Sequence, residues 1–167
     1  GDLRIPLPRV FQTTAEFVLS GQLRRALSEE KLDLDRIRSL LEECKMSGIK
    51  PDGEVAYALQ RCVERSLEKA KGSHPFAAAL TGDHAFSDVL ADLNTLLTVT
   101  RDFSFEMNLW KAQNIYYEMA KEVFPKLEDA SLSGNVPAKT WCDAFAALGE
   151  KLSVKFTPKE KTVKLST

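Results

Sequence analysis

The stretch FSFEMNLWKAQNIYYEMAKEVF, Phe103 to Phe124, constrains the chain more than any other. At about 100° per residue it places Lys111, Glu118 and Glu122 in one narrow sector. Trp110, Gln113, Tyr117, Ala120 and Phe124 fall on one flank, and Phe105, Ala112, Ile115, Met119 and Val123 on the other. A helix that is apolar on two flanks has to be covered on both. The pattern therefore predicts a central helix over 103–124 with other helices packed around it.

The rest of the chain supplies those helices. From about Arg9 to Glu29, Phe11, Ala15, Val18, Leu19, Leu23, Ala26 and Leu27 recur at spacings of three and four, which predicts a first amphipathic helix. Asp33 or Asp35 can cap a second, with Leu34, Ile37, Leu40, Leu41 and Cys44 as its apolar positions and an end near Gly48. Asp52 can cap a third, carrying Val55, Ala56, Leu59, Cys62, Val63, Leu67 and Ala70, with Gly72 where a left-handed C′ residue belongs. Residues 72–83 read either as a loop or as a single helical turn. Asp83 can cap a fourth helix through about Thr100, and a short link then joins it to the central helix.

Pro125 is expected to stop the central helix, and Leu132-Ser133-Gly134-Asn135 is a turn cluster. A last helix begins near Pro137, a residue pre-organised for a first turn, and shows Trp141, Phe145 and Leu148 on one face. Beyond Lys151 the period changes, with Leu152, Val154 and Phe156 alternating with polar residues, so 152–156 reads as a short strand or an extended tail. Two prolines, Pro6 and Pro8, hold the N-terminal residues extended. The expected fold is all-α: an antiparallel bundle of about five main helices around 103–124, in one helical domain over 1–167. With no methionine at its start, the chain reads as the C-terminal fragment of a larger protein.

Composition narrows the function classes. With 44% hydrophobic and 28% charged residues in 167, the chain is of ordinary globular make-up. A net charge of -1 and no long Lys/Arg run argue against a nucleic-acid partner, which needs a basic stripe. The absence of a membrane-length apolar run or a basic-then-apolar leader predicts no membrane partner and a cytoplasmic location. Cys44, Cys62 and Cys142 lie far apart on the apolar sides of predicted helices, as buried thiols do, and neither His74 nor His84 is spaced to complete a metal site with them. No metal and no cofactor are expected.

Phosphate-binding glycine loops, H-E-x-x-H, EF-hand loops and G-x-S-x-G do not occur. The many carboxylates fall mostly opposite the apolar stripes, and no residue is nominated as catalytic. One chemically distinctive cluster remains on the central helix, where Trp110, Gln113, Asn114 and Tyr117 stand at i, i+3, i+4 and i+7. An aromatic face beside amides can stack on a sugar ring while the amides pair with its hydroxyls. The same residues can instead be two core aromatics with amides that tie down loop backbone, or a contact between domains.

NLWKAQNIYYEMA in this helix, VFQTTAEFVLSGQLRRAL in the first and WCDAFAALGEKLSVKF at the close resemble an uncharacterised C-terminal helical region. That region follows the catalytic barrel in bacterial and archaeal proteins similar to glycoside hydrolase family 57, the α-amylase and α-mannosidase-like group. The resemblance covers about residues 9–156. It implies a non-catalytic accessory domain that packs on a barrel of the same polypeptide and helps complete its sugar cleft. Asn108, Trp110, Gln113 and Asn114 would then contribute to the cleft, Tyr117 of the same helical surface is a further candidate ligand-binding residue, and a polysaccharide is the candidate ligand. The family's catalytic carboxylates belong to the barrel and have no counterpart here. The alternative is a helical scaffold or protein-interaction domain with no carbohydrate role.

Overall fold

The computed structural model describes residues 9–82 and 85–155. Pro6, Pro8, Asp83, His84 and the extended pieces expected around Phe156, Val163 and Leu165 lie outside them. Eight α-helices are present and no strand occurs among the described residues, so the chain is all-α with helices packed on helices. No described helix is long and apolar enough to cross a membrane. Chain packing divides into two compact units, one comprising the chain up to Cys62 with Thr95–Asn108, the other Val63–Asn94 with the chain from Leu109.

In the first unit, α1 (Arg9–Ser28) packs on α2 (Leu34–Met46). Leu19, Leu23, Ala26 and Leu27 of α1 and Ile37, Leu40, Leu41 and Cys44 of α2 are buried. Asp33, not Asp35, is the cap: its Oδ1 accepts the Arg36 N–H at 3.0 Å, satisfying a donor the first helical turn leaves unpaired. Gly48 ends the helix in the left-handed region at φ 65°, which costs a glycine nothing. Asp52 Oδ1 accepts the Val55 N–H at 3.0 Å at the start of α3 (Gly53–Gly72), whose first half also belongs to this unit.

In the second unit the burial is deepest around α8 (Val136–Lys151). Trp141, Phe145 and Leu148 are fully buried there. Phe145 stacks on Trp141 with ring centroids 4.8 Å apart and on Tyr116 at 4.1 Å. The Tyr116 hydroxyl is itself satisfied, donating to the Phe145 carbonyl at 2.7 Å. Around α8 stand α4 (Pro75–Leu80), the first half of α5 (Asp88–Thr100) after a short 3-10 turn at Ala85–Ser87, α6 (Trp110–Glu122) and α7 (Phe124–Leu132). Asn135 caps α8 by accepting the Ala138 N–H at 2.9 Å, and its Nδ2 donates to the Ala79 carbonyl of α4 at 3.0 Å.

The expected class stands, and the structure divides its elements more finely. Residues 72–83 contain a true short helix, α4. The left-handed residue before it is His74 at φ 50°, while Gly72 is still helical. Pro75 then occupies the first turn of α4, where its missing N–H costs no helical bond. The long segment 103–124 is not one helix: α6 covers only Trp110–Glu122, and Phe124 already belongs to α7. Arg101–Phe103 is a 3-10 turn, Ser104 is left-handed at φ 48°, and Phe105–Leu109 has no regular structure. At the other end, Pro125 sits in the first turn of α7 and does not terminate α6 directly; the break falls at Val123. Leu152 is the C-cap of α8, and Ser153–Lys155 form no strand.

Candidate functional site on helix α6

One face of α6 is core. Ala112, Ile115, Tyr116 and Met119 recur at three, one and three residues and are all buried. The polar sector beside it is engaged with the second half of α3. Lys71 pairs with Glu118, and Lys111 lies 3.9 Å from Glu64, a carboxylate whose side chain is only 6% exposed. The hydrogen bond to Glu118 is the main reason the Lys71 ammonium is held above its ordinary pKa, with the charges of Glu118, Glu122 and Glu68 adding to it. These ion pairs border the buried face, whose burial sets the rotation of α6 about its own axis.

That rotation leaves the flank carrying Trp110 turned outward. Trp110 is 69% exposed and Tyr117 50%, and Asn114 between them is exposed as well. The three lie in one line along the helix, with the two rings about 10 Å apart by the helical rise. Lys121 continues the line one turn further, its Nζ 4.3 Å from the centroid of the Tyr117 ring, a cation–π contact. Lys121 was not among the residues nominated from the sequence, although its position at i+4 from Tyr117 was a readable signal. Phe124, assigned by periodicity to the same flank, is buried in the first turn of α7, 5.4 Å from the Phe145 ring centroid. The two-sided covering expected of this helix therefore reduces to one covered side.

The remaining two nominated residues have different surroundings. Gln113 is half-buried, and its Nε2 donates to the carbonyl of Leu152 at 2.8 Å, closing the last turn of α8. Asn108 is exposed, belongs to the other compact unit, and its backbone N–H donates to Gln60 Oε1 at 2.9 Å. It does not stand on the α6 face, since the helix begins two residues later. The structure thus groups Trp110, Asn114 and Tyr117 with Lys121, and assigns Gln113 to the architecture of α8.

An open face of this kind adsorbs flat apolar surfaces and offers an amide and an ammonium to polar edges. The cysteines are placed away from such chemistry: Cys44, Cys62 and Cys142 are buried thiols, and burial pushes the Cys44 thiol above its ordinary pKa. No cluster of three or more potential metal ligands occurs among the described residues.

Family models, curated proteins and solved structures all lack a match to this chain.

Proposed function

We propose that this chain is a non-catalytic helical accessory domain of a glycoside-hydrolase-like enzyme, seated on the catalytic barrel of the same polypeptide and lending the α6 face to a polysaccharide. The observation that carries this reading is the exposed line of Trp110, Asn114 and Tyr117. Two aromatic rings about 10 Å apart on a rigid helix are spaced to meet successive parts of an extended ligand, and the amide between them can pair with hydroxyls. A large indole left in water on a folded domain is otherwise unfavourable, because burying it against a ligand releases ordered solvent. On its own the chain hydrolyses no glycosidic bond.

Titration of the chain with maltooligosaccharides and soluble polysaccharides, followed by iodide quenching of tryptophan fluorescence, tests this. Trp141 is fully buried, so the quenchable signal belongs to Trp110. Saturable protection from iodide that is lost in Asn114→Ala supports the proposal. Unchanged quenching up to millimolar saccharide overturns it in favour of a second reading.

That second reading is a protein-interaction or scaffold face with no carbohydrate role. Lys121 favours it, since its ammonium occupies one face of the Tyr117 ring that a sugar would otherwise use. Exposed tryptophan and tyrosine are also the common anchors of protein interfaces.

A further inference from the structure

Lys121 ends the exposed line of α6, one turn beyond Tyr117, with its Nζ 4.3 Å from the centroid of that ring. A helical lysine finds its carboxylate partners three or four residues away, and Glu118 stands three residues before it. Lys71 of α3 has taken that carboxylate, and Glu122, the next residue in the chain, points about 100° further round the helix. The Lys121 ammonium therefore makes no ion pair with a described residue and lies on an aromatic face instead. Along the line of Trp110, Asn114, Tyr117 and Lys121 it is the one charge.

We propose, on the strength of the saccharide role given to α6 above, that its ligand is an acidic polysaccharide, with a carboxylate-bearing sugar on Tyr117 paired to Lys121. The position of the ammonium decides between neutral and acidic chains. A neutral sugar that stacks on Tyr117 has to push the ammonium off the ring and puts no counter-charge in place of the lost cation–π contact. A uronate draws the ammonium to the edge of the ring through a charge-assisted hydrogen bond, and its own C–H face then covers the phenol. The flexible lysine stem permits that swing. The contact that obstructs a neutral sugar thus becomes the element that recognises an anionic one. The nearest carboxylate on the same side, Glu118, does not oppose this, because Lys71 neutralises it. At the other end of the line, Lys111 turns toward Glu64, so Trp110 carries no such cation and takes a sugar of either kind.

Calorimetric titration of the whole chain with maltooligosaccharides, and with the same oligosaccharides oxidised at their primary alcohols to uronates, changes the charge of the ligand and little else. The uronate form is expected to bind about three- to fivefold more tightly at low ionic strength, the contribution of one exposed ion pair. That advantage should shrink as salt is raised. Lys121→Gln should abolish the preference and leave neutral binding equal or tighter, since the ring is uncovered, whereas Lys121→Arg should keep the preference. Lys121 is exposed, so both variants fold, and an unchanged melting temperature verifies it. Equal or weaker binding of the uronate form, or a preference that survives in Lys121→Gln, overturns the proposal and leaves the saccharide role of α6 standing. If neither ligand binds, that role falls and the acidic ligand with it.

Discussion

Gln113 Nε2 donates to the carbonyl of Leu152 at 2.8 Å, joining the first turn of α6 to the last turn of α8. The Leu152 side chain is fully buried, so its carbonyl has restricted access to water. Losing a hydrogen bond of this kind costs about 1 kcal/mol, and up to about 3 kcal/mol when the partner stays buried and unsatisfied. Gln113→Ala is therefore expected to lower stability by about 1–2 kcal/mol in urea denaturation, without altering any ligand affinity of the exposed face beyond that loss of folded protein. A ligand-binding role for Gln113 predicts the reverse: full stability with impaired binding.

Trp110 has the opposite expectation. At 69% exposure its truncation removes little buried surface, and Trp110→Ala should cost under about 1 kcal/mol. Burial in a core would instead make the cost about 3–5 kcal/mol. In a thermal melt the variant should lie within a few degrees of the parent chain. A fall of more than roughly 10 °C would return Trp110 to a structural role.

Tyr116 links stability to alkaline pH. Burial holds its hydroxyl far above the ordinary tyrosine pKa, so the fold favours the protonated form. In the unfolded chain the phenol ionises near its ordinary value of about 10. Above that pH the unfolded state binds fewer protons than the folded one, and stability falls as pH rises; below it the contribution is fully present. Tyr116→Phe should flatten this alkaline decline. At neutral pH the same substitution should cost only about 1 kcal/mol or less, because the Phe145 carbonyl, inside α8, keeps its helical partner when the hydroxyl is removed. Urea midpoints at pH 7 and above pH 10 for both proteins measure the two effects.

His74 holds a left-handed φ of 50° ahead of Pro75 and makes no side-chain cap bond to α4. A non-glycine residue there costs roughly 1–2 kcal/mol. His74→Gly removes that strain while loosening the unfolded chain, and a net gain of about 0.5–1 kcal/mol is expected. A destabilised variant would show that the imidazole makes a compensating contact.

Much of the fold was readable because local chemistry specifies it. Asp33, Asp52 and Asn135 announce helix starts through side chains that satisfy their own helix's N–H groups. The stripe Ile37, Leu40, Leu41 and Cys44 announces a buried face by its period alone. Even the shortened α6 had a local signature. Phe103, Phe105, Met107 and Leu109 are half-buried and alternate with exposed Ser104, Glu106 and Asn108, a period of two that an α-helix does not give.

The sequence by itself determined that this chain is all-α, where α1, α2, α3 and α8 begin, and which of α6's residues are chemically distinctive. Only the tertiary structure decided which of those residues meet water. Trp110 and Phe124 were equivalent by helical angle, and Trp110 is exposed while Phe124 lies against Phe145. Gln113 and Asn114 were equivalent amides, and Gln113 is used by the Leu152 carbonyl while Asn114 faces outward. Periodicity reports how residues are arranged around one helix. The rotation of that helix, and the side from which it is covered, are set by burial of Ala112, Ile115, Tyr116 and Met119 against other elements, as in the stacking of Tyr116 on Phe145, contacts between residues distant in the chain.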